Sequence, residues 1–406
     1  MEPKLPSVLD AAPELRPRAG RAWWVLVVLV LFSVAAPLNQ FKVPPLMPVL
    51  MQAFGMTIGS AGWLMSVFAV TGLILALPAG YLFQKLGPRV TGTLAIGSVI
   101  LGAALGALSS QTGLLLVSRV IEGIGTSLIA VVAPALIAVW FPAERRGVPM
   151  GVWAVWVPLG STLMMTAAPW LEGRWGWRGV WWMGGLYALV VAVLFLLAIR
   201  PESKPTPEPA PADAAPARLG EVLRNRDLWL LSATFGCFNF TILAFLTWAP
   251  TFLNTVRQVP LAGAAFLASL VILINIFSCP AAGWLSDRLG TRRWLFSAGM
   301  VSFGIPMLLI APSGQGAFIG IAVVMGVMTG PVAGTIFAAG VEAVGDERLG
   351  GMAMGVMQVG QNAGMLLGPM VFGAIVQETG SWAMAFAVSG CVSLIGALTG
   401  WLARVR

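Results

Sequence analysis

Three charged side chains, Lys42, Arg119 and Glu122, stand inside long apolar stretches of the chain. Ionised groups in such surroundings are costly, so they mark functional chemistry by default. Lysine and arginine supply positive charge and hydrogen-bond donors, the chemistry that holds an anion. Glutamate supplies either a paired carboxylate or, once desolvated and parted from its cations, a neutral acid that carries a proton. Glu122 follows Arg119 by three residues, so the two share one helical face and can pair. Asn39 and Gln40, beside Lys42, offer neutral groups suited to a carboxylate. Two cations against one acid leave a net positive site, which attracts an anion and repels a cation. Histidine is absent, and no other acid lies deep in an apolar stretch. Glu122 is therefore the expected proton carrier. Asn239, Thr241, Asn275, Gln358, Gln361 and Asn362 are further polar residues in apolar stretches, read either as ligand contacts or as bonds between helices. Trp153, Trp156 and Trp248 offer apolar walls.

The elements that must position these groups follow from composition. Of 406 residues, 58% are hydrophobic and 10% charged, and the mean hydropathy is +0.87. A soluble domain carries about 25% charged residues, so a soluble globule is excluded. Disorder, collagen and disulfide scaffolds need other biases. The absence of histidine removes His-based acid–base catalysis and His-ligated haem or zinc, and no cofactor is expected. Cys237, Cys279 and Cys391 each sit in an apolar run and read as packed small residues. The net charge of +8 reads as the Lys/Arg excess that orients membrane helices, not as a nucleic-acid surface.

The class that remains is an all-α integral membrane protein. Apolar runs of about 20 residues predict twelve transmembrane helices: 22–54, 58–83, 90–109, 113–140, 147–171 and 178–199, then 228–254, 260–285, 294–312, 315–343, 350–376 and 381–402. The chain thus divides into a tail (1–21), a six-helix bundle (22–199), a Pro/Ala-rich polar linker (200–227), a second six-helix bundle (228–402) and a short tail (403–406). Ala35-Ala36 resembles a signal cleavage site, but the apolar character resumes through Phe54, so 1–21 reads as a cytoplasmic tail. With both termini cytoplasmic, nineteen Lys and Arg fall inside and only Arg174, Arg178 and Arg257 outside, a strong positive-inside bias.

The two bundles repeat. Gly80, Lys85, Gly87 and Arg89 follow the second span, and Gly283, Asp287, Arg288, Gly290, Arg292 and Arg293 follow the eighth, at an offset of 203 residues. The same offset brings Glu144-Arg145-Arg146-Gly147 onto Glu347-Arg348-Leu349-Gly350. Like-oriented repeats around a central cavity are a transporter architecture. Glycine permits tight turns between spans. Asp287 can hold helix ends or arginines across the half-interface, while the cations either gate or simply anchor the loops.

The second loop copy resembles the signature G-x-x-x-D-R-x-G-x-R-R of the major facilitator superfamily. The first copy departs from it, with Gln84 at the acidic position. Arg119-Val120-Ile121-Glu122-Gly123-Ile124-Gly125 resembles the superfamily's R-x-x-x-G-x-G motif. The first span and Leu246-Thr247-Trp248-Ala249-Pro250 are similar to the cyanate-permease-like branch. The resemblance covers essentially the whole chain. It implies two pseudo-symmetric six-helix bundles working by alternating access, a monomer in a bacterial-type inner membrane, with spans 1, 4, 7 and 10 lining the central cavity. Lys42 would then face that aqueous space as principal counter-ion, about 18 Å from the end of its span. Arg119 would face it from span 4, as a ligand contact or as a coupling residue. The expected partners are a small anion, such as a monocarboxylate or cyanate-like ion, a proton and the bilayer, with symport favoured. Proton-driven efflux of amphipathic or nitro-aromatic compounds is the alternative; the antiporter glycine pattern that would favour it is poorly matched in span 5.

Overall fold

The computed structural model describes residues 19–75, 78–142, 145–199, 222, 224–344 and 350–405. Most of the expected N-terminal tail and linker, together with Glu144 and the Glu347-Arg348 segment of the second loop repeat, lie outside the described residues. Among the described residues every regular element is helical and there is no strand. The helices are α1 (Ala19–Gln40), α2 (Val43–Phe54), α3 (Ile58–Ala61), α4 (Trp63–Leu75), α5 (Pro78–Ala107), α6 (Thr112–Trp140), α7 (Gly147–Ala154), α8 (Trp156–Ala198), α9 (Arg226–Thr255), α10 (Leu261–Leu289), α11 (Arg293–Ile310), α12 (Gln315–Val344), α13 (Gly350–Thr379) and α14 (Trp382–Leu402).

Eleven stretches among the described residues are long and apolar enough to cross a membrane. One of them, Gly147–Ala198, runs for 52 residues. As a continuous helix it would extend about 78 Å, against a hydrocarbon core of about 30 Å. It is broken at Gly176, where φ is 66° and ψ 175°. A similar break at Gly87, φ 78° and ψ 168°, divides α5.

Left-handed backbone conformations reveal the repeat in three dimensions. Among the described residues they occur at Gly55, Gly87, Gly176, Gln258, Gly290 and Gly380. Gly55 pairs with Gln258, and Gly87 with Gly290, at the 203-residue offset of the sequence repeat. Gly176 pairs with Gly380 one residue further on. Corresponding turns are thus built at corresponding places in both parts of the chain. Glycine fills five of the six because it enters this region without a Cβ penalty.

Helix packing follows the same pairing. In the first part α5 packs on α6, α4 on α6, α1 on α8 and α5 on α8; in the second α11 packs on α12, α10 on α12, α9 on α14 and α11 on α14. The two parts meet through α8 against α10, α3 and α4 against α13, and α2 against α9 and α10.

These cross-contacts seal the bundle at the end that carries the Gly55 turn. Gly59 N donates to Gln377 Oε1 at 2.9 Å. A Cβ at Gly62 would stand 2.6 Å from Pro369 O, and one at Gly373 2.8 Å from Ile58 O. Glycine is what lets the two backbones approach this closely. At the opposite end, which carries the Gly87 and Gly290 turns, Tyr81, Trp284 and Leu289 are exposed.

Candidate functional site

The site begins with a break in the first span. Pro44 and Pro45 lie in the first turn of α2, where a missing N–H is tolerated. The N–H that Pro44 lacks would have served the carbonyl of Gln40 four residues earlier, so that carbonyl needs another donor. Arg119, from the middle of α6, provides it: Nη2 donates to Gln40 O at 2.8 Å. Its Nη1 donates to Asn39 O at 2.8 Å and its Nε to Leu64 O at 3.1 Å. The guanidinium therefore ties α6 to both α1 and α4.

Glu122 stands one turn further along α6, between two cations. Its Oε2 accepts from Arg119 Nη1 at 2.6 Å, the pairing that the three-residue spacing predicts. Its Oε1 accepts from Lys42 Nζ at 2.5 Å. Lys42 sits at the break, as the residue that precedes α2, and also donates to Asn39 Oδ1 at 3.0 Å. Asn39 is oriented by its own amide, which donates to Ala35 O at 2.9 Å and Gly184 O at 3.3 Å. Lys42 Nζ lies 4.6 Å from the centroid of the Trp181 ring, and the Arg119 guanidinium 4.1 Å from that of Phe68. Such faces favour a cation.

Helix α5 makes room for this cluster. A Cβ at Gly102 would stand 2.5 Å from Glu122 Cγ, and one at Gly106 would collide with the Trp181 indole. The Gly102-x-x-x-Gly106 pair is thus the wall against which the carboxylate and the indole are set.

The exposure of the cluster differs from the sequence expectation. The resemblance to the superfamily places Lys42 and Arg119 facing an aqueous cavity, yet Lys42, Arg119 and Glu122 are each 0% exposed. The reason is the partner that spacing alone did not identify: Lys42 turns into the helix bundle toward Glu122, 80 residues away in sequence. Asn39 is buried as well, and Gln40 nearly so.

The other polar positions are not brought to this cluster. Asn239 donates to Phe235 O at 2.9 Å within its own helix. Thr241 donates to Cys237 O and to Ser389 O on α14, at 2.9 and 3.1 Å. Trp248 is fully buried; its Nε1 donates to Pro369 O at 2.9 Å, and its ring stacks on Phe372. It packs α9 against α13 rather than walling an open cavity. Asn275 donates to Thr329 Oγ1 at 3.0 Å, joining α10 to α12. Gln361 is half-buried, and Asn362 donates to Gln358 O at 2.9 Å. Trp153 donates to Ser33 Oγ at 2.8 Å and stacks on Trp156.

The loop residues are engaged within their own part of the chain. Lys85 Nζ lies 5.8 Å from the Tyr81 ring and Arg288 5.3 Å from the Trp284 ring. Arg292 pairs with Glu342 at the end of α12, at 3.5 Å. Gly80 and Gly283 have open space where a Cβ would stand, and Arg89 is half-buried. The side chain of Asp287 lies outside the described residues.

A protein-family comparison places this geometry. The profile described as Major Facilitator Superfamily matches residues 24–351 and 280–406. The chain belongs to the major facilitator superfamily. It is a membrane transporter of that family and not an enzyme. The chain is 23% identical over 401 residues to the probable sulfoacetate transporter of Cupriavidus necator, covering 92% of each protein. It is 28% identical over 255 residues to the cyanate transport protein of Escherichia coli, covering 62% of this chain and 63% of that protein. Its fold matches a crystal structure of a bacterial homologue of the human lysosomal transporter Spinster, in an inward-facing and occupied conformation. The TM-score is 0.78 and the identity 17%, over 95% of this transporter and 97% of that chain.

Sequence reasoning missed Trp181, Phe68 and the Leu64 carbonyl. One signal was readable: Pro44 must leave the Gln40 carbonyl without its helical donor, and a buried arginine is a natural replacement. Trp181 carried no signal among seventeen tryptophans.

Proposed function

We propose that the chain is a secondary active transporter of a small organic or inorganic anion, coupled to protons in symport, in the plasma membrane of a bacterial-type cell. One observation carries the reading. The fully buried cluster holds two cations and one carboxylate, so with all three ionised it has an excess positive charge and no solvent to screen it. A bound anion is the ligand that balances this charge. Sulfoacetate and cyanate, in the names of the two relatives, are both anions and support the same class.

The architecture we propose has twelve spans in two six-span bundles, 22–199 and 228–402, with the break at Gly176 counted as a turn between spans 5 and 6. Both termini and the Gly87 and Gly290 turns lie in the cytoplasm, in keeping with the Lys/Arg bias. The contacts at the Gly55 end then close the outer side, and the structure corresponds to an inward-facing state of an alternating-access cycle. An anion entering against a negative-inside potential requires an accompanying cation, and the Lys42–Glu122–Arg119 cluster is where we place the coupled proton. Among the other polar residues, Gln361 and Asn362 on α13 remain proposed substrate contacts from the second bundle, with Asn239, Thr241 and Trp248 setting the position of α9. The loop residues act as the inner gate when the halves rock together.

The test is a thermal-shift screen of the detergent-purified transporter. Sulfoacetate, cyanate and lactate are compared with tetraphenylphosphonium and nitrobenzene. A ligand of the folded state at 100 times its Kd adds about 2.7 kcal/mol of apparent stability. The reading requires an anion to stabilise the wild type and to lose that effect in Lys42→Met. Stabilisation by the cation or the aromatic, unchanged in Lys42→Met, overturns it in favour of efflux.

A further inference from the structure

We infer that Lys42, rather than Glu122, carries the coupled proton, and that the amine which holds the anion gives up its proton when the anion leaves. This rests on the anion–proton symport reading and assigns the carrier within it.

The argument is a charge balance around a sealed site. Arg119 stays protonated in any protein environment. It is also locked in place by three backbone carbonyls. If Glu122 took up a proton while both cations stayed charged, two positive charges would be fully buried without a counter-ion, a strongly unfavourable arrangement. If Lys42 instead loses a proton, Arg119 and Glu122 remain as a balanced pair and the cluster becomes neutral. The surroundings of Nζ accommodate this form. Its oxygen acceptors are Glu122 Oε1 and Asn39 Oδ1, and two N–H bonds serve both. The third N–H of an ammonium is left to the Trp181 face.

Among the described residues no other acid restores the balance, and the cations of α5, Lys85 and Arg89, could only add to the excess. Of the elements packed on α1 and α2, α6 brings only Arg119 and Glu122 to Lys42, and α8 brings the neutral Trp181. The remaining ionisable groups of α8 are engaged elsewhere or stand at its turn. Arg174 stacks on Trp170, Arg178 donates to Ser109 O, and the Tyr187 hydroxyl donates to Leu31 O. Glu172 is four residues from the Gly176 break. On α9 and α10, Asp227 and Arg288 lie at helix ends, the first accepting from Arg404 N and the second over Trp284.

When an anion occupies the site the balance reverses. The ammonium of Lys42 pairs with the anion, while Glu122 stays with Arg119. When the anion departs to the cytoplasm, the ammonium N–H bond breaks, the electron pair stays on Nζ as the free amine, and the proton passes to water. A monoanion such as cyanate and one proton therefore travel together with no net charge crossing, whereas a dianion such as sulfoacetate crosses with one net negative charge.

Two measurements test the assignment. Infrared difference spectra of the full-length apo protein between about pH 6 and 9, where exposed carboxylates stay ionised, should show no protonated carboxyl band. Glu122 is the only fully buried acid among the described residues, so such a band, if it appears, places the proton on Glu122 and overturns the inference. In proteoliposomes with sulfoacetate or cyanate outside and a pH dye inside, Lys42→Arg keeps a permanent charge. Any anion that the variant still carries should enter with proton entry no higher than in empty liposomes, and a variant that carries no anion leaves the assignment to the spectra. Persistent proton entry in that variant overturns the inference. Failure of the wild type to carry either anion is a separate outcome: it overturns the transport reading and the anion half of the inference, while the spectra of the wild type still decide which residue holds the proton.

Discussion

Lys42 Nζ lies 2.5 Å from Glu122 Oε1 across 80 residues of sequence, with neither side chain exposed. Because Arg119 shares the same carboxylate, the two ends of this contact are not equivalent. Loss of Lys42 leaves a balanced pair. Loss of the Glu122 charge leaves the buried Arg119 cation without a counter-ion. Glu122→Gln should therefore lose about 3–5 kcal/mol of stability, and Lys42→Met, a substitution of similar length, less than about 1.5 kcal/mol. Thermal unfolding of the two variants in the same detergent measures the difference. Equal losses would contradict the charge count.

Gly102 fixes where the carboxylate sits. Valine there drives a side chain into Glu122 Cγ, and overpacking of this kind costs about 1–3 kcal/mol. The expected phenotype is a protein that inserts and purifies yet shows anion flux lowered to the level of Lys42→Met. Gly97, one turn and more along the same helix, has open space, so Gly97→Val serves as the control that keeps its flux.

The closed Gly55 end can be locked. Built on the backbone of Gly59, a Cβ stands 3.7 Å from Gln377 Cβ, within the range that a disulfide bridges. In a background with Cys237, Cys279 and Cys391 replaced, Gly59→Cys with Gln377→Cys should cross-link on mild oxidation. Flux should stop on oxidation and return on reduction. Flux that continues through the cross-linked protein would mean that this end need not open during the cycle.

Gln258 holds a left-handed backbone where its counterpart Gly55 uses glycine. A non-glycine residue there costs on the order of 1 kcal/mol. The side chain is exposed and makes one hydrogen bond, to Thr255 O. Gln258→Gly should raise the midpoint of thermal unfolding with flux unchanged, whereas Gly55→Ala should lower it.

Much of this architecture is written locally in the chain. Apolar runs long enough to span a bilayer are a physical requirement of the membrane, and the glycine turns at Gly87 and Gly290 recur at the offset that the loop residues show in sequence. The Arg119–Glu122 contact was legible too, because helical spacing puts those residues on one face. The Lys42–Glu122 contact was not. It depends on how the broken first span is rotated against α6, and composition carries no record of rotation. Trp248 and Thr241 show the same limit: their polar atoms are satisfied by backbone carbonyls on neighbouring helices, which any buried donor can use. No local pattern distinguishes such a partner from a ligand.

The central claim is that Lys42 binds a transported anion whose entry is coupled to protons. Its most direct test is uptake of labelled sulfoacetate and cyanate into proteoliposomes under an imposed inside-alkaline pH gradient, with wild type and Lys42→Met compared. The account predicts uptake of at least one of them by the wild type, dependent on the gradient and absent from Lys42→Met. Uptake that is indifferent to the Lys42 substitution, or proton-driven movement of tetraphenylphosphonium with neither anion carried, would contradict it.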